Sequence, residues 1–244
     1  MKAFILAAGL GTRLRPLTEK QPKVMVEVGG QKILERTIDQ LRAAGVDEFI
    51  INTHYFPEIV PNYFGDGHKW GVKIEYSHER DILGTAGGLK KVEERFRSEK
   101  EFLVVYGDNV FDLDFSPFIQ KPLAGSCMLM LYGRSKSPNS EAVAGLVELD
   151  ENGLVKSFYE GVEKTELIYG NGGVYKCSPQ IFEFIPPAQF FDFGRQVFPE
   201  MLKSDVKIET YIISPNEALF GIDNLDCLEK ANQYFNSRMH GLRG

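Results

Sequence analysis

Four short apolar runs alternate with segments of helical period in the first 110 residues, and that alternation leaves few architectures open. Residues 2–8 (KAFILAA), 48–53 (EFIINT), 72–77 (VKIEYS) and 102–108 (FLVVYGD) are too short for buried helices, and they read as strands covered on both faces. Between them, Ile33, Ile38, Leu41 and Ala44 fall near helical spacing, and Gly45 is placed to stop that helix in a left-handed turn. Further helices are expected over 58–64 and 86–96. Strands joined by helical crossovers imply an α/β fold with a mainly parallel sheet, and a ligand site beyond the carboxyl ends of the strands.

After residue 125 the pattern changes. Residues 127–132 (CMLMLY), 144–150 (AGLVELD) and 154–160 (LVKSFYE) are strand-like, and Glu151-Asn152-Gly153 is a hairpin turn signal between the last two. Ser178-Pro179 reads as a helix start, with a capping hydroxyl and a proline suited to the first turn. A strand over 217–223 (EALFGID) then leads into a helix over 225–235. No repeat, low-complexity tract or linker interrupts the chain, so one domain over 1–244 is expected, with a soft division near residue 125.

Composition narrows the partners. A net charge of −6 with scattered lysines argues against a nucleic-acid surface, so an anionic ligand must be held locally. No run approaches the ~20 apolar residues of a membrane span. The opening Met1-Lys2 and its apolar run resemble a signal peptide superficially, but the run breaks at Gly11-Thr12-Arg13 and reads better as a strand. Cys127, Cys177 and Cys227 are odd in number and widely spaced, which disfavours a disulfide framework or structural zinc and fits a reducing cytoplasm. His54, His68, His78 and His240 show no paired spacing and read as surface or packing residues.

The loop after the first strand, "AAGLGTRLRPLTEKQPK", concentrates the chemistry. Gly9-Leu10-Gly11 lets backbone N–H groups approach a bulky anion, Arg13 adds a planar fork suited to phosphate oxygens, and Lys23 adds a point charge. It is not a dinucleotide fingerprint, since Leu14 holds the third glycine position, and it lacks the Gly-Lys-Ser/Thr of a Walker loop. Gly-x-Gly alone is more often a plain tight turn with a solvated arginine.

The longer string resembles the signature of the sugar-1-phosphate nucleotidyltransferases, or NDP-sugar pyrophosphorylases: Gly9-Leu10-Gly11-Thr12-Arg13-Leu14, Pro16-Leu17-Thr18 and Pro22-Lys23. Further segments resemble the family in order along nearly the whole chain: "EYSHERDILGTAGGL", "VVYGDNVF", "LVELDENGLVKSFYE", "YGNGGVYKCSPQIF" and "DFGRQVFPEML". The guanylyltransferases of mannose and heptose 1-phosphates, and an N-acetylmuramate-1-phosphate uridylyltransferase, are the members it resembles. The resemblance implies a Rossmann-like, mixed and mainly parallel sheet, a nucleotide-binding half over 1–125, and an acceptor-binding half over 126–244.

It also implies roles. Ala8, Gly9, Gly11, Thr12, Arg13, Glu79, Gly84 and Thr85 would bind the nucleotide, with Arg13 on the outer phosphates and Lys23 near the α-phosphate. A magnesium ion would be held by Asp108 and Asp223, the latter in a segment closer to an Ile-Asp ending than to Asp-Ile-Gly-Thr; aligned without a gap, the aspartate of that form falls on Gly221. Arg13, Lys23 and Asp108 would be catalytic. No general base is needed, because the acceptor phosphate, with a second pKa of ~6, is its own nucleophile. Gly145, Glu160 and Asn171 would receive the acceptor.

Two points stay open in the sequence. Glu79 suits the two donors of guanine, which favours GTP; the alternative is a cytidylyltransferase using CTP, since cytosine could use the same carboxylate and the Asp223 ending resembles that of several cytidylyltransferases, and an exposed glutamate in the charged run "HERD" is an equal reading. The family's Glu-Lys, whose lysine reaches the acceptor phosphate, stands here as Glu160-Gly161; Lys156, Lys164 and Arg134 are stand-ins, none in register, so the acceptor is an unusual sugar 1-phosphate such as a heptose, or not a sugar. The partners expected are therefore a nucleoside triphosphate and a phosphorylated small molecule, with a homo-oligomer possible. A glycosyltransferase using Asp112-Leu113-Asp114 is the rival enzyme class; a non-catalytic nucleotide-binding module is disfavoured by the joint presence of Arg13, Lys23 and Asp108.

Overall fold

In the computed structural model, which describes residues 1–134, 145–161 and 166–241 with side chains through Arg238, the amino-terminal apolar run forms a central strand, β1 (Lys2–Leu6). A small hairpin of β2 (Glu27–Val28) and β3 (Gln31–Lys32) leads into α1 (Ile33–Ala43), β4 (Glu48–Thr53), α2 (Ile59–Phe64), β5 (Lys73–His78), α3 (Gly84–Lys91) and β6 (Phe102–Tyr106). β4 and β6 flank β1 in parallel, with Ala3 opposite Phe49 and Leu103, and β5 continues the parallel set beyond β4. The four expected strands thus lie side by side. α1 buries Leu34, Ile38 and Leu41, and Gly45 follows it with φ +92°, a left-handed turn that lets Val46 N–H reach the Leu41 carbonyl.

The rest of the chain is β7 (Asn109–Asp112), α4 (Ser116–Gln120), β8 (Cys127–Gly133), β9 (Leu146–Leu149), β10 (Val155–Tyr159), β11 (Tyr169–Cys177), α5 (Phe198–Lys203), β12 (Ile208–Ile212), β13 (Ala218–Gly221) and α6 (Leu225–Gly241). β11 joins the halves. It runs antiparallel to β6 over Val174–Cys177, touches β9 at Tyr169 and Gly170, and takes β8 along its other edge, with β10 and β12 completing a nine-stranded sheet. The parallel half and the mostly antiparallel half are therefore one continuous sheet. Separately, β13 pairs with β7, placing Gly221 opposite Asn109, and this ribbon brings residues 108 and 223 close together.

Alternation along the strands divides the core. Ala3, Ile5, Leu103 and Val105 face one apolar cluster, whereas Phe4, Phe102 and Val104 face the other. A third cluster packs Leu14, Val26, Val28 and Ile33 against Phe220, Ile222 and Phe235, so the glycine-rich loop is pinned by a fully buried leucine. Among the described residues no helix is long and apolar enough to cross a membrane.

Some expectations are corrected. The helix placed over 86–96 starts at Gly84 and stops at Lys91, since Phe96 must turn inward to pack edge-on against Phe4 and beside Phe102. Pro179–Phe184 is a 3-10 helix, and the Ser178 hydroxyl is buried without a partner rather than capping it. The helix after β13 is capped instead by Asn224, whose side-chain oxygen accepts from Cys227 N–H at 2.9 Å.

Candidate active site

The loop from residue 7 to residue 23 folds back on itself at the carboxyl end of β1. Gly11 adopts φ +62°, and a Cβ there would press to 3.0 Å from Lys23 Cβ and Thr18 Cγ2, so glycine is required for both conformation and space. Thr18 Oγ1 donates to the Gly11 carbonyl at 2.7 Å and locks the turn. A Cβ at Gly9 would meet nothing within 4 Å, leaving that stretch of backbone open to the cleft.

Lys23 stands where the chain's halves meet. It is 7% exposed, and its Nζ donates to Asp108 Oδ2 at 2.5 Å and to Asp223 Oδ1 at 3.4 Å. Burial alone would lower its pKa, but Asp108 and Asp223 outweigh that and hold it above the ordinary lysine value. Asp223 also accepts from Arg13 at 3.0 Å, although Arg13 is a largely exposed side chain. Asp108 is brought up by Gly107, where a Cβ would lie 2.8 Å from Ile5 Cγ2, so only glycine lets this turn pack on β1.

Two clefts meet at this cluster. The smaller, about 280 Å³, is floored by a chain of hydrogen bonds: Ala7 N–H donates to Asn52 Oδ1 at 2.6 Å, Asn52 Nδ2 donates to Glu79 Oε1 at 2.7 Å, and Leu83 N–H donates to Glu79 Oε2 at 3.0 Å. The larger, about 630 Å³, is lined by Asp108, Asp223, Asn171, Glu160, Asp192 and Arg195 among others. Asn171 is fixed by donating to Tyr175 OH at 2.8 Å and accepting from Gly173 N–H at 3.1 Å. The Glu160 carboxylate is wedged between two glycines: a Cβ at Gly145 would sit 2.7 Å from its Oε2, and one at Gly194 2.5 Å away. Desolvation raises the Glu160 pKa, with Arg195 opposing and Asp192 reinforcing the shift. Tyr106, which lines both clefts, and the buried Tyr175 packed edge-on against it are pushed up by burial and remain neutral phenols.

Residues 2–214 match the family model described as Nucleotidyl transferase. The chain belongs to the nucleotidyl transferase family. It is 34% identical over 217 residues to the UTP–glucose-1-phosphate uridylyltransferase of Synechocystis, a match covering 84% of this chain and 56% of that protein. It is also 34% identical over 193 residues to the D-glycero-alpha-D-manno-heptose 1-phosphate guanylyltransferase of Campylobacter jejuni, covering 79% and 83% respectively. Among solved structures, HddC from Yersinia pseudotuberculosis complexed with GMP-PN superposes with a TM-score of 0.79 at 25% identity, over 96% of this chain and 99% of that one. The chain spans somewhat over half the length of the first curated relatives it matches.

Within this member of the family the expected site residues take distinct places. Arg13, Lys23, Asp108 and Asp223 form one cluster; Ala8, Gly9, Glu79, Gly84 and Thr85 line the smaller cleft; Gly145, Glu160 and Asn171 line the larger. Thr12 begins a 3-10 turn at the base of the loop and lines neither cleft. Glu79 is 1% exposed rather than solvated, so the reading of it as one more surface charge fails. Thr85 has both its donors turned inward, N–H and Oγ1 giving to Asp192 Oδ1 at 3.1 and 3.0 Å, while Phe193 N–H donates to its Oγ1 at 2.9 Å.

The rival metal motif dissolves. Asp112 accepts from Tyr234 OH at 2.7 Å and pairs with Arg238, and Asp114 accepts from Ser116 N–H at 2.8 Å, so both serve structure. Of the cations considered as stand-ins, Lys156 pairs with Glu148 at 2.7 Å, Arg134 donates to the Leu167 carbonyl at 3.0 Å, and Lys164 lies outside the described residues, as does the side chain of His240. Sequence reasoning missed Asn52, Asp192, Phe190 and Arg195. The polar Asn52 directly after the apolar run Phe49–Ile51, and the aromatic cluster of "FFDFGR", were the available signals.

Proposed function

We propose that this chain transfers a nucleoside monophosphate from a nucleoside triphosphate to a sugar 1-phosphate, with GTP and mannose or heptose 1-phosphate as the leading pair. The observation that carries this reading is the convergence of Lys23, Asp108 and Asp223 at the seam of two clefts, one sized for a base and one lined with hydroxyl-binding groups. An oxygen of the acceptor phosphate attacks the α-phosphorus. A new P–O bond forms as the bond to the β-phosphate breaks, and pyrophosphate leaves with that electron pair. Such a transfer is driven by positioning and charge neutralisation rather than covalent help from the protein.

Each residue then has a task. The open backbone at Gly9 and the Arg13 fork hold the outer phosphates, and Lys23, charged throughout the neutral range, meets the negative charge that gathers around the α-phosphate. Glu160 and Asn171 accept and donate hydrogen bonds to acceptor hydroxyls. The donor set suits a divalent cation, since two carboxylates already approach one ammonium, and a hard cation such as magnesium commonly takes one or two protein carboxylates with substrate oxygens. Bound there by Asp108 and Asp223, magnesium would supply further neutralisation of the phosphates.

Guanine is favoured by the buried carboxylate of Glu79 beside the base cleft, and by the similarity to the Campylobacter guanylyltransferase. A second reading, a pyrimidine triphosphate, draws on the two internal donors that already occupy the Glu79 oxygens and on the equal identity to the Synechocystis uridylyltransferase. A matrix of nucleoside triphosphates against sugar 1-phosphates and phosphocholine-like acceptors, with magnesium and pyrophosphatase, separates them by phosphate release. Turnover with GTP and mannose or heptose 1-phosphate is expected; exclusive use of UTP or CTP would establish the second reading, and no turnover in any cell would sink both.

A further inference from the structure

We infer that Arg195 is the group that grips the phosphate of the acceptor. The inference rests on the transfer reaction above and adds to it the residue that selects for a phosphorylated acceptor. Among the described residues, Arg13 and Arg195 are the cations lining the larger cleft, and Arg13 is already paired with Asp223. The Arg195 side chain is exposed to the cleft and makes no hydrogen bond or ion pair among the described residues; its influence on Glu160 is electrostatic and through space. A guanidinium with all its donors free, facing a cavity that otherwise gathers Asp108, Asp192, Asp223 and Glu160, lacks an anion of its own.

Position argues the same way. Arg195 follows directly on Gly194, the residue whose missing side chain makes room for the Glu160 carboxylate, so the cation stands beside the group proposed to hold the sugar hydroxyls. Its backbone is held firmly: it belongs to a short π-helical turn, Phe193–Val197, that is tied at one end to Thr85 by Phe193 N–H and buried through Phe193 and Val197. An acceptor phosphate must enter a site already rich in carboxylates and next to a triphosphate. Without a dedicated cation, that approach is opposed by like charge; a planar fork offers two parallel donors to one phosphate and fixes which oxygens face the α-phosphorus. Of the described lysines on the acceptor strands, Lys156 is spent on Glu148 and Lys176 on the Phe118 and Ile119 carbonyls.

The test uses wild-type protein, R195K, R195Q and K156Q, with GTP, or whichever triphosphate the matrix shows to be used, and the sugar 1-phosphate that is turned over. R195Q is expected to raise the acceptor KM about 10- to 100-fold, the range for loss of charge-assisted hydrogen bonds, while the KM for the triphosphate stays within about twofold. R195K should recover part of the loss, because it keeps the charge and loses the fork. Calorimetry on the triphosphate-free protein gives a readout besides turnover: wild type should bind the sugar 1-phosphate more tightly than the corresponding methyl glycoside, and R195Q should bind the two alike. An unchanged acceptor KM in R195Q, or a rise in K156Q in its place, overturns the inference and leaves the transfer reaction standing. Absence of transfer by the wild type overturns both together.

Discussion

The floor of the smaller cleft and the wall of the larger one solve opposite problems. In the floor every strong polar group is matched: Ala7, Asn52, Glu79 and Leu83 form an unbroken chain of donors and acceptors, and a Cβ at Gly88 would strike Glu79 Oε1 at 2.6 Å. In the wall, the Arg195 guanidinium has no hydrogen-bonding partner among the described residues, and Glu160 holds a carboxylate whose pKa burial pushes up. The floor is built before any ligand arrives, whereas the wall keeps unspent hydrogen-bonding capacity for one. A site that takes two anions in turn, as proposed for this one, cannot satisfy itself completely without losing its affinity for them.

The sharpest way to break the comparison is at the seam. Lys23→Met removes the cation that both carboxylates share, and kcat should fall about 10²- to 10³-fold, the range for deleting one electrostatic group aimed at developing charge. Steady-state kinetics should place most of the loss in kcat, with a smaller change in the triphosphate KM; loss through KM alone would assign Lys23 to ground-state binding. The same residue sets a pH prediction. Its folded pKa lies above 10.5, so the stability it contributes is fully present below that value and is lost as pH rises through the folded pKa. The melting-temperature gap between wild type and the Met variant should therefore hold through neutral pH and narrow in strong alkali.

At the wall, Gly194→Ala should matter next. The added methyl would lie 2.5 Å from Glu160 Oε2, so the carboxylate must swing away. An acceptor KM raised roughly tenfold is expected, as for loss of a charge-assisted hydrogen bond, with the triphosphate KM little changed. Equal effects on the two substrates would place Glu160 outside the acceptor site.

How much of this was legible in the sequence follows from where the information lies along the chain. The four parallel strands and the loop carrying Arg13 and Lys23 are contiguous patterns, and the continuous burial of β1, β4 and β6 marks them clearly. β7 and β12 take their pairing from strands far along the chain, and β2 and β3, at two residues each, are too short for a local period to announce them. Glu79 looks exposed between His78 and Arg80-Asp81, and its burial is made tolerable by Leu83 N–H and by Asn52, 27 residues back on β4, a partner that no local pattern reveals. Arg195 sits in "DFGRQVFPEML", a segment that the sequence marks only by its resemblance to the family. Its access to the cleft comes from the π-helical turn and from the tie between Phe193 and Thr85, neither of which leaves a mark in the sequence.

Glu79→Gln tests the floor. The amide places an NH₂ where either Asn52 Nδ2 or Leu83 N–H already donates, so one buried donor meets another whichever way the side chain is turned. The cost should be about 1–3 kcal/mol in a denaturant titration, the range for a buried polar group left unmatched. If stability is unchanged while base preference shifts, Glu79 reads the base and the chain of bonds is incidental.

The smallest expected effect falls on the residue that links the two regions. Thr85, in the first turn of α3, lines both clefts, and its hydroxyl donates to Asp192 and accepts from Phe193 N–H, which carries the turn bearing Arg195. Thr85→Ser keeps both bonds and should be nearly silent. Thr85→Val keeps the backbone bond to Asp192 and nearly the same volume but loses both hydroxyl bonds, so about 1–2 kcal/mol of stability should go. If the hydroxyl also sets the position of the turn, the acceptor KM should rise a few-fold in Val alone, with kcat and the triphosphate KM following wild type. A rise in the triphosphate KM instead would mean that Thr85 turns toward the nucleotide when it binds. The floor would then be the region that rearranges, and the contrast between a finished floor and an unfinished wall would be reversed.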